Sequence, residues 1–223
     1  MYITIALINT KRCPAHTRKL LNNRYRVHQI VESSLDHDKT VRIPARTLWS
    51  IYHIEPDTLT LRITSPTPPH KQTLQSALGR NALINITDDI EEPAPITGER
   101  INFTLFANPV VCRRPDNARR PIHSRTGLEH WLTSRAHALG ISDLNIVDMP
   151  TSRHTIHRKN VDFSLHLATY TGSATIADAQ RYDETLRFGV GKSLAFGSGM
   201  FIPHMWIDPQ HKTAAHMAPL ALV

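Results

Sequence analysis

The feature that most restricts the fold of this chain is the order of its predicted secondary structure. The same order occurs on both sides of a proline-rich linker at Glu91–Gly98. Before the linker, apolar periodicity and turn residues predict strand, helices, strand hairpin, helix and strand. These elements are Tyr2–Ile8 (strand), Pro14–Leu21 and Arg24–Leu35 (helices), Arg46–Ile54 and Thr58–Thr64 (hairpin strands), Lys71–Arg80 (helix) and Leu83–Thr87 (strand). The order is therefore βαββαβ.

The same order recurs after the linker, without any visible repeat of the sequence. The elements are Arg100–Cys112 (strand), Arg125–Gly140 (helix), Asn145–Asp148 and Thr155–Arg158 (one bent strand or two), Asp162–Thr175 (strand), Ala177–Phe188 (helix) and Met200–Ile207 (strand). Two tandem ferredoxin-like βαββαβ domains of the α+β class are the simplest architecture. We expect one domain over residues 1–92, a second over residues 97–207, and a loose tail over residues 208–223.

The charge balance favours an anionic partner. The 223 residues include 26 Lys and Arg against 19 Asp and Glu, which gives a net charge of +7 and a pI of about 9.7. A basic surface of this kind attracts nucleic acid most often. The hydrophobic content of 40% is sufficient for a packed core.

The sequence indicates a cytoplasmic protein without a membrane segment. Cys13 and Cys112 stand alone, so no disulfide framework is expected and a reducing compartment is favoured. No apolar run reaches the length of a bilayer span. The apolar start Met1–Ala6 precedes Lys11 and Arg12, which is the reverse of the order in a signal peptide.

No metal or other cofactor is expected. The 14 histidines are scattered, and neither an HExxH motif nor a Cys/His zinc spacing occurs. His211 and His216 lie in a stretch rich in alanine and proline, which is not a metal-ligand pattern.

A glycine-rich segment near the carboxyl end, LRFGVGKSLAFGSGMFIP, is a candidate anion site. Glycine adopts positive φ and lets backbone N–H groups approach a phosphate closely. The candidate RNA-binding residues of this segment are Gly189, Gly191, Lys192, Ser193, Gly197 and Gly199. A glycine-rich hairpin without a ligand is the alternative that remains open.

The segment does not predict nucleoside triphosphate binding. The run Gly191–Lys192–Ser193 matches the end of a P-loop, but Leu186 stands where that motif needs a glycine. A P-loop also follows a strand and opens a helix, whereas this segment follows a predicted helix and opens a predicted strand. We therefore expect no NTP.

A tyrosine and a histidine three residues apart are the candidate catalytic pair. Val27, Val31 and Leu35 form the buried stripe of the second helix, with His28 at its edge and Tyr25 beside it. Histidine transfers protons near neutral pH, and a tyrosine hydroxyl can orient a ribose 2′-OH. Flanking cations can stabilise the charge that develops on the phosphorus, and the candidates are Arg24 and Arg26. Ordinary surface residues are the alternative.

Two further basic clusters are candidates for contacts with RNA phosphates. The first contains Arg113, Arg114, Arg119, Arg120 and Arg125. The second contains Arg153, His154, His157, Arg158 and Lys159. A solvated loop is the alternative for each cluster.

Several segments together resemble the Cas6e family (also called Cse3 or CasE), the CRISPR RNA endoribonuclease of type I-E systems. They are Met1–Asn9 (opening strand), Asn22–Leu35 (helix with Tyr and His three apart), Arg46–Leu48–Trp49 ("RxLWRL"), Phe103–Pro109 ("FRLxANP") and Gly189–Gly199 ("GxGxxKAFGxG"). The ANP strand and the glycine loop are specific, and the segments occur in the family's order.

The resemblance implies a double ferredoxin-like fold and a metal-independent endoribonuclease. Such an enzyme cuts the CRISPR repeat transcript at the 3′ base of its hairpin. The 2′-hydroxyl attacks the neighbouring phosphate and leaves a 2′,3′-cyclic phosphate and a 5′-hydroxyl. It implies His28 as the general acid, Tyr25 as the group that activates or orients the 2′-OH, and the glycine loop beside their helix. It also implies that the protein keeps the crRNA and joins the other subunits of the type I-E Cascade complex.

Two departures from the family pattern motivate an alternative to the endoribonuclease. Leu194 stands at the usual lysine of the loop, which leaves Lys192 as its base, and Ser33 stands where some relatives have a lysine. We expect Arg24, Arg26 or Lys192 to substitute for the missing charge. The alternative is a non-cleaving subunit that binds an RNA stem-loop. Stacking of single strands on exposed aromatic residues is not favoured, because only 6% of the residues are aromatic.

Overall fold

A computed structural model describes residues 1–36, 45–87, 94–113, 118–158 and 161–205. Arg114, Lys159, the first part of the expected linker and the expected tail at residues 208–223 lie outside these ranges. The backbone of Arg113 belongs to a strand. In the described ranges no helix has both the length and the apolar character that a bilayer crossing requires.

The first sheet has the strand order expected of a ferredoxin-like fold. Its elements are β1 (Tyr2–Asn9), α1 (Ala15–Leu21), α2 (Arg24–Ser33), β2 (Leu48–Glu55), β3 (Thr58–Ser65), α3 (Lys71–Leu78) and β4 (Leu83–Thr87). The strands are antiparallel in the order β2-β3-β1-β4. The helices cover one face, where Val27 and Leu74 pack with Trp49 and Leu61 in a common core.

The second sheet has the equivalent order and carries additions. Its elements are β5 (Arg100–Ala107), β6 (Val110–Arg113), β7 (Ala118–Pro121), α4 (Arg125–Thr133), β8 (Ile141–Asp148), β9 (Thr151–Arg158), β10 (Val161–Ile176), α5 (Ala179–Phe188) and β11 (Phe201–Met205). The order is β11-β5-β10-β8, and β9 also pairs with the long strand β10. The strand β6 pairs with β7 in a separate hairpin. The α+β prediction with two ferredoxin-like units is confirmed.

Two predicted elements are divided in the structure. The strand predicted over Arg100–Cys112 ends at Ala107, and Pro109, which has no N–H for a ladder, separates β5 from β6. The helix predicted over Arg125–Gly140 ends at Thr133 and is followed by a short 3-10 turn. Ser134 and Arg135 donate side-chain hydrogen bonds to the carbonyl of Trp131, which competes with continuation of the helix.

The two sheets meet through a small apolar interface that positions the candidate site. Leu48 of β2 packs with Phe106 of β5 and Met200, and the rings of Tyr52 and Phe106 stack with centroids 5.3 Å apart. The backbone N–H of Arg46 also donates to the carbonyl of Arg187 at the end of α5. This interface places the segment between α5 and β11 next to α2.

Candidate active site

Helix α2 presents Tyr25 and His28 away from the core of its own sheet. Asn23 caps the helix, because its side-chain oxygen accepts a hydrogen bond from the N–H of Tyr25 at 3.0 Å. Val27 and Val31 are fully buried, which fixes the rotation of the helix. The rings of Tyr25 and His28 consequently lie side by side, with centroids 6.5 Å apart.

Residues 189–199, here called the glycine loop, contact His28 directly. The ring of Phe196, in a 3-10 turn of the loop, meets His28 edge-on with centroids 6.4 Å apart. Phe196 also packs against Phe163 of β10, while Tyr25 lies against the apolar cluster around Ile156. The structure therefore places His28 against the glycine loop, and Tyr25 packs on the same apolar cluster as Phe196.

Arg24 lies in the interior and holds the loop, although the sequence suggested an RNA contact. Its side chain is buried, with a residue exposure of 6%. Its Nη1 donates to the carbonyls of Phe196 at 3.1 Å and Gly197 at 3.4 Å, and its guanidinium lies 5.9 Å from the ring centroid of Trp49. Burial lowers the pKa of Arg24 to about 10, so the side chain stays charged at neutral pH.

The loop glycines are required by protein neighbours. All four have positive φ. At Gly197, with φ +72°, a Cβ would lie 2.5 Å from Trp49 and 2.6 Å from Nη1 of Arg24. The glycine therefore permits the close approach of loop, helix and sheet, which is a different reason from the phosphate contact that the sequence suggested.

The other end of the loop faces a cavity beside α4. Nδ2 of Asn108 donates to Oγ of Ser193 at 2.8 Å, which joins the ANP strand to the glycine loop. Lys192 lines a cavity of about 400 Å³ beside Trp131, together with Arg119 and Arg135. Lys192 and the Tyr25–His28 pair thus belong to different surfaces of the loop.

One ring nitrogen of His28 is buried against its own helix. Its Nδ1 is buried and lies 3.8 Å from Oε1 of Glu32, one turn later on the same helix. The side chain is 26% exposed, so Nε2 is the nitrogen left for a substrate. The Glu32 carboxylate can pair with the imidazole when the ring is protonated.

Basic side chains lie beside Tyr25 and in a cleft at the amino-terminal end of α2. The guanidinium of Arg158 on β9 lies 5.7 Å from the centroid of the Tyr25 ring. A cleft of about 840 Å³, here called the main cleft, is lined by Lys19, Arg26 and Arg153 and by three histidines. Arg153 also donates to Oγ of Ser164 at 2.8 Å. The second sheet thus supplies Arg158 beside Tyr25 and Arg153 in the main cleft.

The histidines of the main cleft differ in their surroundings. Burial, and secondarily the charge of Arg24, lowers the pKa of His154 to about 4, so this side chain is neutral at pH 7. Oγ of Ser152 lies 2.9 Å from its Nε2. Nδ1 of His157 lies 3.0 Å from Oδ2 of Asp162, and both side chains are exposed.

Comparison with known proteins identifies the family of the chain. A family model described as "CRISPR associated protein" matches residues 1–202. The chain belongs to this family. Comparison of the sequence with curated proteins found no match.

The fold of this CRISPR-associated protein is similar to solved structures. The structure "CRISPR endoribonuclease Cse3 bound to 19 nt RNA" has a TM-score of 0.76 at 20% identity, covering 92% of this chain and 100% of that one. Thermus thermophilus Cse3 bound to an RNA representing a pre-cleavage complex has a TM-score of 0.72 at 21% identity, covering 91% and 98%. A chain of a CRISPR RNA-guided surveillance complex has a TM-score of 0.65 at 17% identity, covering 92% and 100%.

The remaining candidate residues of this CRISPR-associated protein lie apart from the pair. Arg119 and Arg120 are exposed on β7, and Arg119 lines the cavity of Lys192. Among the residues that the structure describes, no group of three His, Cys, Asp or Glu side chains is placed to hold a metal ion.

Sequence reasoning missed three residues of the site. Phe196 forms the ring contact with His28, Glu32 lies beside Nδ1, and Lys19 lines the main cleft. The i, i+4 spacing of His28 and Glu32 was a readable signal. The contact of Phe196 needed the packing of two sheets, which no local pattern contains.

Proposed function

We propose that this CRISPR-associated protein is a metal-independent endoribonuclease that cuts CRISPR repeat transcripts at the 3′ base of the repeat hairpin. The observation that carries the proposal is that Tyr25 and His28 lie side by side on α2, with Phe196 of the glycine loop against His28. Arg26 of the same helix lines the main cleft. The 2′-hydroxyl of the RNA attacks the adjacent phosphorus, the bond to the 5′-oxygen breaks, and a 2′,3′-cyclic phosphate and a 5′-hydroxyl result.

The positions of Tyr25 and His28 support the following roles. His28 donates a proton from Nε2 to the leaving 5′-oxygen, since Nδ1 is buried beside Glu32. The hydroxyl of Tyr25 orients the 2′-hydroxyl, whose proton is released to solvent water as the bond to phosphorus forms. Arg158, whose guanidinium lies 5.7 Å from the centroid of the Tyr25 ring, supplies positive charge for the negative charge that develops on the phosphorane.

The main cleft supports binding of the RNA stem. Lys19, Arg26 and Arg153 line it from two sheets, so a duplex backbone can span both. The similar structures named above include Cse3 with RNA and a chain of a surveillance complex. We propose that the chain likewise keeps the crRNA, as a subunit of a type I-E Cascade complex. Its cellular location is then the cytoplasm.

The experiment is single-turnover cleavage of a cognate repeat RNA in EDTA. We expect cleavage of the unmodified RNA and none of an RNA with a 2′-deoxy residue at the cut site, because the nucleophile is absent. Both RNAs bind with equal affinity. Strict dependence on a divalent metal, or cutting of the 2′-deoxy RNA, contradicts the proposed reaction.

A second candidate function is a subunit that holds a stem-loop without cutting it. The supporting observation is that Lys192, the base of the loop, lines the cavity beside Trp131 and Arg135. A protein of this kind binds both RNAs and cuts neither. The same experiment therefore separates the two functions.

A further inference from the structure

The charge of Arg24 is buried without a counter-charge. Both of its hydrogen bonds come from Nη1 and end on backbone carbonyls. Its Nε is buried and has no hydrogen-bond partner within the described ranges, and no carboxylate there forms an ion pair with it. A buried cation left unpaired is costly, so a site that supplies an anion would stabilise it.

A cavity opens next to this guanidinium. It has a volume of about 310 Å³ and lies between the α1–α2 junction, β2 and the start of β9. Arg18, Arg24, His53 and His154 contribute to its lining, and none of the described lining residues is acidic. We call it the Arg24 cavity.

We propose that the Arg24 cavity binds a phosphate group. Two guanidiniums, from Arg18 and Arg24, match the charge of a phosphate dianion, and the guanidinium fork suits its oxygens. Arg24 begins the ten-residue helix α2, whose amino-terminal partial charge adds to the attraction. The cavity is large enough for a phosphate together with part of the molecule that bears it.

Phosphate bound in the Arg24 cavity would affect the candidate active site through Arg24. The same guanidinium that would hold the phosphate holds the carbonyls of Phe196 and Gly197, and Phe196 touches His28. An occupied cavity would therefore fix the loop beside the imidazole. The phosphate has two sources, the backbone of a bound RNA or a free phosphate compound, and the binding itself does not depend on RNA cleavage.

Thermal unfolding with inorganic phosphate tests the site, with chloride at the same ionic strength as the reference. Phosphate at ten times its Kd is expected to raise the Tm by about 3–6 °C in a saturable manner. Arg18→Ala is expected to weaken the apparent phosphate affinity about tenfold, because one charge-assisted hydrogen bond is lost. Arg26→Ala is the matched control, since Arg26 lines the main cleft and not the Arg24 cavity.

The outcomes separate the sources and decide the proposal. A phosphate shift that disappears when the hairpin RNA is bound assigns the site to the RNA backbone, and a shift that persists assigns it to a free phosphate compound. No saturable shift in the wild-type protein overturns the proposal. An equal shift in Arg18→Ala and wild type also overturns it, whatever the cleavage assay shows. Arg24→Met, where it folds, must lose the shift as well.

Discussion

Helices α2 and α4 occupy equivalent places in the two ferredoxin-like units, yet only α2 carries the candidate site. Each begins with a side-chain cap, from Asn23 and Ser124, and each buries one apolar face against its own sheet. Each also presents a histidine, His28 and His130.

The difference lies in what covers the outer face. The glycine loop of the second unit packs on α2, so that Phe196 meets His28 and Arg158 lies over Tyr25. On α4 the loop contributes Gly191 and Lys192 to a cavity in which the side chain of His130 stays exposed. Arg125 pairs there with Glu129 one turn later. A pair of residues on a helix therefore becomes a site only when another part of the chain packs on that face of the helix.

Replacement of the two histidines is expected to give the largest difference between α2 and α4. His28→Ala is expected to slow single-turnover cleavage by about 10²–10⁴-fold, because the leaving 5′-oxygen loses its proton donor. RNA affinity stays near the wild-type value. The matched change His130→Ala leaves both quantities unchanged, and an equal loss of rate in the two variants would remove the distinction between α2 and α4.

Two glycines test how much the packing of the glycine loop contributes to stability. Gly197 and Gly98 both have positive φ, but only at Gly197 would a Cβ meet neighbouring atoms. Gly197→Ala is expected to lower the free energy of unfolding by about 2–4 kcal/mol, from backbone strain plus overpacking. Gly98→Ala costs about 1–2 kcal/mol from strain alone. Urea unfolding measures both values.

Equal destabilisation by the two substitutions would contradict the packing of the loop against Trp49 and Arg24. Cleavage provides the second measurement, since Gly197→Ala moves the loop beside His28 and Gly98→Ala does not touch it. We expect the rate to fall only in the Gly197 variant.

Two arginines test the contribution of the second sheet to RNA binding. Arg158→Ala is expected to weaken hairpin affinity about tenfold and to reduce the salt slope of the affinity by about 1, because one phosphate contact is lost. Arg125→Ala removes an arginine that is already paired with Glu129 on α4. A filter-binding series over salt concentration should show no change for it, and identical slopes for the two variants would exclude Arg158 from the RNA interface.

The pH dependence of stability gives the smallest effect. The pKa of His154 is about 4 in the folded protein against 6.5 for an ordinary histidine. The unfolded chain therefore binds the proton first, and stability falls as the pH drops from about 6.5 to 4. We expect a loss of roughly 1–2 kcal/mol after allowance for solvent access. His154→Gln should flatten this part of the curve, and an unchanged curve contradicts the burial of the imidazole.

The fold was largely predictable, because strand alternation and helix periodicity are local signals. The strands Tyr2–Asn9 and Thr58–Ser65 and the helix from Arg24 were placed within one or two residues. The breaks after Ala107 and Thr133 were missed, since they depend on Pro109 and on side-chain bonds to a carbonyl.

The site was predictable in part. The pair Tyr25 and His28 follows from helix spacing, and the resemblance to Cas6e placed the glycine loop beside it. The burial of Arg24 and the position of Lys192 were not predictable, because both depend on how two separate sheets meet. Sequence spacing gives the face of a residue, while tertiary packing decides whether that face meets solvent or protein.

The central claim is that His28 protonates the leaving oxygen at the loop-covered face of α2. It is tested most directly with a repeat RNA whose 5′-bridging oxygen at the cut site is replaced by sulfur. A thiolate leaves without a proton donor, so the account predicts that His28→Ala cuts this RNA at nearly the wild-type rate. A His28→Ala variant as slow on the sulfur-containing RNA as on ordinary RNA would contradict it.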